Sequence, residues 1–447
     1  MRIRSSLVVG IVGMVVIVAN PIVASGQSLT SESSVTFTKD IVPIFQRSCQ
    51  VCHRSGEMAP MSLVTYQEVR PWARAIKRRV VAREMPPWHI DKTIGIQAFK
   101  DDPSLSDVEI ATVAAWVDSG APRGSLADMP PQVEFPDASE WQIGEPDLVV
   151  QYPAYLMPAE GSDLFGAMYT ELDLDEDRYI KAIQTRPADD ASRRVVHHAL
   201  SFAVHPDEEE MRIAGDDDVP AAQFLVEYAS GKNGEVYPED SGLLLEAGRK
   251  MRLDYHLHSV GEEVEAVVEL GMVFHPKGHV PEHIRWSKQL GLNNRLLDIP
   301  PGKVVRTDGY AVLAKAARLT AFQPHMHMLG TYQCLELIYP WPGWFAQTET
   351  VSCAKFDYNW HLVYNYEDDV APIVPAGTVL HIISWHDNTE ANRGNPDPRN
   401  WTGDGGRTID EMGFAWIGWY DLTDEEYEAE LAERKKRRDA SATNQQQ

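Results

Sequence analysis

Basic side chains are scarce in this chain of 447 residues: lysine and arginine number 41, against 66 aspartates and glutamates. The resulting net charge of −25 argues against a nucleic-acid partner, because binding a polyanion needs a basic surface. The acidity instead predicts a soluble, self-repelling exterior. Hydrophobic residues make up 43% and charged residues 24%, which is typical of a globular chain, and the length predicts several domains.

Long hydrophobic runs are also lacking, except near the N-terminus. The run at 7–18 follows two arginines and precedes small residues at 24–26. This order predicts a signal peptide over residues 1–25 that is cleaved on export. A membrane anchor is the alternative, but the run is short for a membrane span and an Asn-Pro pair interrupts the apolar stretch. We therefore expect a periplasmic or secreted protein with no stable membrane span after cleavage.

Changes in periodicity and composition divide the rest of the chain into segments. Residues 34–128 alternate helical patterns with loops, whereas residues 129–148 are rich in proline and have little periodicity, which predicts a linker. From residue 149 to 424, short alternating runs bounded by Pro, Gly and Asp predict all-β, sandwich-like structure. Residues 425–447 predict a charged helix and a disordered tail.

Cysteine is scarce as well, with four residues in the chain, and two of them lie in the run SCQVCH at 48–53. In a c-type haem motif of this kind, Cys49 and Cys52 form thioethers with the haem vinyl groups and His53 supplies an axial nitrogen. A redox dithiol is the alternative, but it has no need of the following histidine, and the surrounding pattern is helical rather than βαβ. We therefore predict one covalent haem c, in a small all-α cytochrome c domain over residues 34–128.

The sixth ligand of the haem iron has to come from downstream of this motif. We predict Met85, which lies just past a helical pattern in REMPPWH, where two prolines stiffen the loop; a thioether ligand would raise the potential of the iron. Met58 and Met61 follow His53 so closely that the chain would need a tight return over the haem. Met61 is interpreted as a packing residue, and His89 is a weaker alternative ligand.

Histidines occur in close pairs in the β region. These pairs are His197 with His198, His256 with His258, and His325 with His327. A single histidine in a strand is usually a packed or exposed side chain, but three pairs in one β region indicate a metal site. Two histidines one residue apart on a strand point to the same face. Imidazole suits zinc, copper and iron, and a thioether companion favours copper.

Residues 149–424 resemble the copper type II, ascorbate-dependent monooxygenases, a family that includes peptidylglycine α-hydroxylating monooxygenase and dopamine β-monooxygenase. The resemblance covers more than half of the chain and rests on four signatures in order: HH, LDYH, HMHMLG, and DEM at 410–412. It implies two all-β jelly-roll domains, each with one copper ion. We expect the first, for electron transfer, over residues 149–293 and the second, catalytic, over residues 294–424.

The resemblance also implies two ligand sets. They are His197, His198 and His256 for the electron-transfer copper, and His325, His327 and Met412 for the copper at which O₂ is activated. A three-imidazole site can stay nearly unchanged as copper cycles between its oxidation states. The His-His-Met site has an open position and a soft ligand that favours Cu(I), the state that meets oxygen.

Two points about these ligands stay open in the sequence. His258 competes with His256 for the third position of the first site, although the spacing from the preceding leucine favours His256. Neighbouring side chains on a strand diverge, so His197 and His198 can share one metal only at a bend or through different ring nitrogens. His386 follows near the second set, and we interpret it as a supporting or structural residue.

The remaining cysteines are Cys334 and Cys353. Animal members of the resembled family carry several disulfides, whereas only these two cysteines remain here after the haem motif takes its pair. They flank a predicted hairpin, and export permits a disulfide, so we predict a bridge between them.

The leading functional expectation is an exported enzyme that uses O₂ to hydroxylate a C–H bond of an unidentified small organic substrate. Electrons would come through the fused haem or from other periplasmic cytochromes, and fusion raises the local concentration of the donor. Two alternatives stay open: a non-catalytic electron carrier or copper-binding protein, and a dehydrogenase that passes electrons outward through copper and haem. Met412 distinguishes the enzyme from a copper-binding protein, because oxygen activation needs an open, mixed His/Met site and copper storage does not.

Overall fold

The computed structural model describes residues 35–55, 59–135, 140–214, 220, 222–229, 234–291, 296–340 and 347–444. The predicted signal peptide and Met58 lie outside these residues. None of the described helices is long and apolar enough to cross a membrane.

Residues 35–128 form short helices around a small apolar core. The helices are α1 (Val42–Ser48), α2 (Tyr66–Val69), α3 (Ala73–Val81) and α4 (Asp107–Asp118), with single helical turns at Phe37–Ile41, Arg70–Trp72 and Leu126–Asp128. Thr65 and Ser106 begin α2 and α4 with capping boxes, in which a glutamate three residues later returns the hydrogen bond. The fully buried side chains of this core are Phe37, Ile41, Phe45, Val69, Val113 and Trp116.

The predicted fold class, a small all-α cytochrome c domain followed by two all-β jelly-roll domains, is wrong. The protein is mostly β, with 39% of its residues in strands and 19% in helices, and no separate all-α domain is evident in the part of the chain that the structure describes. The helical patterns of residues 35–128 do form helices, but the chain between α3 and α4 leaves them and packs into the β structure.

Large apolar side chains between α3 and α4 explain this difference. Ile90 forms a β-bridge with Ala354, and Phe99 forms one with Tyr366. Both Ile90 and Phe99 are buried in the same apolar cluster as the C-terminal strands, and Trp88 packs against it. Full burial of a side chain such as Ile or Phe stabilises by roughly 1.5–3 kcal/mol. The sequence pattern predicts that these apolar residues are buried. It does not show whether they are buried in the helical core or in the β core.

The first β region follows the stretch predicted as a linker. The end of that stretch packs on the β structure, because the ring of Trp141 lies under the guanidinium group of Arg186. The elements of this β region are β1 (Leu148–Gln151), β2 (Tyr155–Met157), β3 (Leu164–Glu171), β4 (Arg178–Pro187), α5 (Asp190–Val195), β5 (Val196–Val204), α6 (Glu208–Ala214), β6 (Gln223–Ala229), β7 (Glu235–Val236), β8 (Ser241–Leu245), β9 (Lys250–Leu257), β10 (Val264–Ala266), β11 (Val268–Phe274) and β12 (His283–Gly291). An antiparallel sheet in the order β3-β9-β5-β6 packs on a second sheet that contains β1, β11, β4 and β8.

The second β region and a C-terminal helix complete the chain. The elements are β13 (Asp298–Ile299), β14 (Val304–Val312), β15 (Ala316–Met326), β16 (Gly330–Tyr339), β17 (Gln347–Lys355), β18 (Tyr364–Asn365), β19 (Ile373–Val374), β20 (Val379–Asp387), β21 (Thr402–Gly403), β22 (Gly413–Leu422) and α7 (Asp424–Asn444). The sheet β14-β20-β16-β17 packs on a layer formed by β22, β15 and β18. The helix α7 extends to Asn444, through much of the segment predicted as a disordered tail.

One sheet runs through both β regions. Its strand order is β1-β11-β4-β8-β12-β22-β15-β18, and the parallel pair β8 and β12 joins the two halves. Strand β12 precedes the predicted domain boundary, yet it pairs with β22 from Arg285↔Tyr420 to Gly291↔Phe414. The two β regions therefore share a hydrogen-bonded layer.

A small apolar cluster also joins the regions on the face that carries the histidines. It combines Phe202, Val204 and Phe224 from the first region with Phe414 and Trp416 from the second. The rings of Phe224 and Trp416 stack with their centroids 3.8 Å apart. This cluster holds β5, which carries one histidine pair, against β22, the neighbour of the strand that carries another.

Candidate metal centre

The first histidine set lies on the two central strands of the sheet β3-β9-β5-β6. His198 on β5 lies directly opposite His256 on β9. The register between these strands shifts by one residue between Val196 and His198, so His197 is the extra residue of a β-bulge. A β-bulge changes the direction of a side chain on a strand. This bulge therefore allows the adjacent side chains of His197 and His198 to point toward the same position. The ligand atoms of His197, His198 and His256 all lie within 4.8 Å of one another.

The spacing of these nitrogens fits a metal ion. The Nδ1 atoms of His197 and His198 are 3.2 Å apart, and two nitrogens bound to one tetrahedral metal at about 2.0 Å are separated by about 3.3 Å. The third histidine of the set is His256, whose Nε2 is hydrogen-bonded to Asp163 Oδ2 at 2.8 Å. His256 Nδ1 is buried and has no hydrogen-bond partner. A carboxylate on one nitrogen and an open position at the other is the usual arrangement of a metal-binding histidine.

The electrostatics of this set favour neutral rings. Burial, together with the neighbouring imidazole of His256, lowers the pKa of His197 to about 4. Burial also holds the pKa of His198 well below its usual range. The pKa of His256 is lowered by burial, although the carboxylate of Asp163 acts in the opposite direction. Neutral imidazole is the form that binds metal ions.

The structure places His256, rather than His258, beside the adjacent pair. The nitrogens of His256 belong to the set described above. The ring of His258 is 6.4 Å from that of His197, centroid to centroid, and its backbone N–H donates to Val195. The geometry therefore groups His256, and not His258, with the adjacent pair.

The second histidine pair lies where β15 ends. His325 is within the strand and His327 follows it, and their ring centroids are 5.5 Å apart. His325 is buried, its ring stacks on Phe414 at 4.4 Å, and its Nδ1 has no hydrogen-bond partner. His327 Nδ1 lies 3.1 Å from the carbonyl oxygen of Asp410, so it donates a proton there and leaves Nε2 as the lone-pair nitrogen. Both rings thus present a nitrogen suited to a metal.

Met412 lies at the neighbouring strand end. The register that pairs Met326 with Gly413 brings the residue after β15 next to the residue before β22, so the backbone of Met412 lies beside that of His327. Its side chain is half-buried and packs against the apolar cluster that contains Phe414 and Trp416. The role of its sulfur as a metal ligand stays a prediction.

Glu411 is a buried residue beside the second histidine pair that sequence reasoning missed, although it stands in the DEM signature. Its side chain is fully buried and accepts hydrogen bonds from the backbone N–H groups of His327, Leu329 (2.9 Å) and Met412 (2.9 Å). Burial raises the pKa of this carboxyl to about 7, against the lowering effect of those N–H donors. His386 Nδ1 lies 3.8 Å from it. Glu411 therefore anchors the turn that follows the second histidine pair, and the supporting role of His386 stays a prediction.

His361 and Tyr358 were also missed. Both lie in the loop between β17 and β18, in the run FDYNWHLV, which has no periodic pattern and no second histidine. The ring of Tyr358 is 5.9 Å from that of His197 and 5.9 Å from that of His327. The buried ring of His361 is 5.4 Å from His198 and 5.1 Å from His325. The loop therefore contacts both predicted metal sites, which only the folded chain brings together.

The haem motif lies directly after α1. The backbone N–H of His53 donates to the carbonyl of Cys49 at 2.9 Å, which closes a turn, and neither Cys49 nor Cys52 is in a disulfide. His53 Nδ1 lies 3.1 Å from the carbonyl oxygen of Met61, so Nδ1 carries the proton and Nε2 is left to bind a metal. Burial, together with the nearby Cys52, raises the pKa of Cys49 to about 12. The attachment of a haem to Cys49 and Cys52 stays a prediction.

The structure separates the alternatives for the other axial position by their surroundings. Met61 packs against the helical core, in agreement with its interpretation as a packing residue. The backbone of His89 is bonded to Tyr364 and Lys355, so this histidine lies against the second β region. Met85 is half-buried in the loop after α3. Its role as an iron ligand stays a prediction.

The predicted disulfide between Cys334 and Cys353 is confirmed. The two residues lie directly opposite each other on β16 and β17, and their sulfur atoms are bonded. The bridge holds the strand that leads into the loop of His361.

Comparisons with known proteins show no family for this chain. No protein-family model matches it, and no curated protein matches it. Among solved structures, PNGase F, a glycosylasparaginase from Flavobacterium meningosepticum, is similar at 10% identity and a TM-score of 0.25, over 62% of this chain and 96% of that one. The tandem CBM22 domains of Xyn10C from Paenibacillus barcinonensis are similar at 9% identity and a TM-score of 0.19, over 62% and 93%. Scores this low support no statement about fold or function.

Proposed function

We propose that this chain is an exported, copper-dependent oxidoreductase that uses O₂ to hydroxylate a C–H bond of a small organic substrate and receives electrons through a covalently attached haem. One observation carries the proposal: two sets of buried or half-buried imidazoles, predicted separately from the sequence, lie against the same loop, where Tyr358 contacts a member of each set. The predicted signal peptide and the family resemblance of residues 149–424 support the same proposal.

The donor set suits copper. His197, His198 and His256 would hold one ion through three imidazoles, and the nitrogen spacing within this set supports that assignment. A second ion would be held by the pair His325 and His327 with Met412, a soft thioether that favours copper over zinc. Bound copper supplies one-electron redox chemistry that the protein side chains lack.

The surrounding residues orient these ligands and keep them neutral. Asp163 fixes the ring of His256, and the carbonyl of Asp410 fixes the tautomer of His327. Glu411 ties the turn after His327 to the strand end that carries Met412. The ring of Phe414, stacked on His325, shields that histidine from water. The polypeptide therefore prepares two ligand sets whose rings have little freedom to move.

The electron requirement explains the attached haem. Insertion of one atom of O₂ into a C–H bond, with reduction of the other atom to water, consumes two electrons and two protons besides the substrate. A haem held by Cys49, Cys52 and His53 carries one electron at a time, so two deliveries serve each turnover. Periplasmic cytochromes are the class of partner that would reduce it between deliveries.

The decisive experiment uses the full chain with haem attached and copper loaded. The haem is reduced, the protein is mixed with aerated buffer, and haem reoxidation is followed by stopped flow; oxygen uptake is measured with a panel of small organic molecules. We expect reoxidation to be faster with copper than without it, and slow in the double variant His325→Ala/His327→Ala. The copper-free protein reports direct autoxidation of the haem.

A matched control is His381→Gln. His381 is buried like the cluster histidines, but it is bound between Asp308 and Glu336 on another face of the second β region. It should reoxidise at the wild-type rate. Equal rates with and without copper would refute the proposal and favour a carrier of electrons or copper.

A further inference from the structure

The loop between β17 and β18 brings one more imidazole to the predicted copper sites. His361 is buried, with 2% of its surface exposed, and its ring lies between a member of each ligand set. The centroid distances are 5.4 Å to His198 and 5.1 Å to His325. The ring of His197 is farther away, at 6.5 Å.

These distances are those of imidazoles that share a metal. Two rings bound to one ion through nitrogens at about 2.0 Å, at a tetrahedral angle, have centroids about 5 Å apart. Within the first set, the centroids of His197 and His198 are 4.7 and 5.0 Å from that of His256. His361 therefore stands at the same distance from one ligand of each site as the members of one site stand from each other.

The rings that face His361 are imidazoles and aromatic side chains. They belong to His197, His198, His325, Phe356 and Tyr358. Burying several imidazoles side by side costs solvation free energy, and a shared cation offsets that cost.

We propose that His361 is a metal ligand that joins the two histidine sets into one two-metal centre. The proposal rests on the copper-binding part of the proposed function and extends it, because the two ions become neighbours that share a ligand loop. Imidazole has two ring nitrogens, so His361 can bind both ions at once if its ring loses the remaining N–H proton to solvent, or it can complete the coordination of one ion beside the other. In either case the ions lie close to each other.

The test is a copper titration of the full-length protein with electron paramagnetic resonance. With two Cu(II) ions bound, neighbouring ions couple magnetically, so we expect the wild-type signal to integrate to fewer than two isolated spins or to show a half-field line. This measurement needs no variant, so it stands even if substitutions at His361 prevent folding. Two independent Cu(II) signals in the wild type, with no sign of coupling, would overturn the proposal.

The substitutions His361→Phe, which keeps a ring of similar shape, and His361→Gln complete the test. Loss of a ligand should weaken at least one copper site by about 10- to 100-fold or more in a chelator competition and should make any remaining signal that of an isolated ion. His381→Gln is the control for loss of a buried histidine elsewhere. Unchanged affinity and spectrum in both His361 variants would overturn the inference but leave the proposed function standing, whereas a wild type that binds no copper would refute both.

Discussion

His198 on β5 and His256 on β9 lie directly opposite each other, with their ring centroids 5.0 Å apart, and the far nitrogen of His256 is held by Asp163 at 2.8 Å. Strand pairing thus fixes the backbone positions of the two histidines, and the Asp163 carboxylate fixes the orientation of the His256 ring. Asp163 is not a proposed ligand, but its contact with His256 makes a substitution at Asp163 the most direct test of the first predicted metal site.

Replacing this carboxylate should weaken copper binding without removing a ligand. We expect Asp163→Asn to lower the copper affinity of the first site by about 10- to 100-fold, because the ring of His256 loses both its orientation and part of its basicity. Competition with a chelator of known affinity measures the change. The control is Asp175→Asn, at an exposed carboxylate beside Lys277. Equal affinities in the two variants would show that Asp163 does not act through the metal.

Glu411→Ala should be among the most destabilising single substitutions in the second β region. It removes the acceptor of several buried backbone N–H groups, and unpaired buried donors cost about 1–3 kcal/mol each. We expect the free energy of unfolding to fall by about 3–5 kcal/mol, measured in urea. The exposed Glu425→Ala on α7 should change it by less than about 0.5 kcal/mol. A fall of similar size in both variants would contradict the anchoring role of Glu411.

Met412→Leu tests the soft ligand while it preserves packing. Leucine and methionine are similar in volume, so contact with the cluster of Phe414 and Trp416 should survive at a cost below about 1.5 kcal/mol. We expect two Cu(II) ions still to bind, weaker retention of Cu(I), and slower haem reoxidation under air. Met326→Leu, at a buried methionine on β15, is the matched control. Equal Cu(I) retention in both variants would exclude the Met412 sulfur as a ligand.

The haem prediction can be tested by its spectrum. A His/Met ferric haem shows a weak sulfur-to-iron band in the near infrared, and Met85→Ala should abolish this band while the haem stays covalently attached. Met61→Ala should keep the band and lower stability, because Met61 packs on the helical core. The double substitution Cys49→Ser/Cys52→Ser should prevent covalent attachment. A band that persists in Met85→Ala would assign the axial position to another residue.

Reduction of the disulfide should destabilise the second β region. A bridge between residues 19 apart in sequence should contribute about 3 kcal/mol on the chain-entropy model. We expect Cys334→Ala/Cys353→Ala to lower the free energy of unfolding by about that amount, and copper binding to weaken if the loop of His361 loosens. Unfolding of the wild type with and without reductant is the check. An unchanged midpoint under reductant would contradict this expectation.

Local features of the sequence predicted local features of the structure. The capping residues of α4 lie in a helical pattern that does form a helix, and the hairpin of Cys334 and Cys353 places the two cysteines face to face. The adjacent pair His197 and His198 implied a bend, and the bulge supplies it. These features depend on residues close in sequence or on one strand pairing, which is why a pattern can reveal them.

The features that sequence could not predict depend on distant contacts. His361 has no patterned neighbours, and only the folded loop places it against His198 and His325. Glu411 gains its role from backbone groups more than 80 residues away in sequence. The segment with Ile90 and Phe99 has an apolar composition that would suit a helical core or a β core, and tertiary packing decides between them.

The sheet shared by the two β regions bears on how the protein can move. Domain closure around a ligand needs a few residues between rigid bodies that absorb large changes in backbone dihedral angles. Here the junction of β8, β12 and β22 is itself a hydrogen-bonded ladder, and rotation about it would break those bonds. The apolar cluster that packs β5 against β22 adds to this restraint, so the histidine-bearing strands β5 and β15 should keep one separation. Under the proposed function, substrate and oxygen would have to reach a centre of constant geometry, with adjustment confined to loops such as the one that carries Tyr358 and His361.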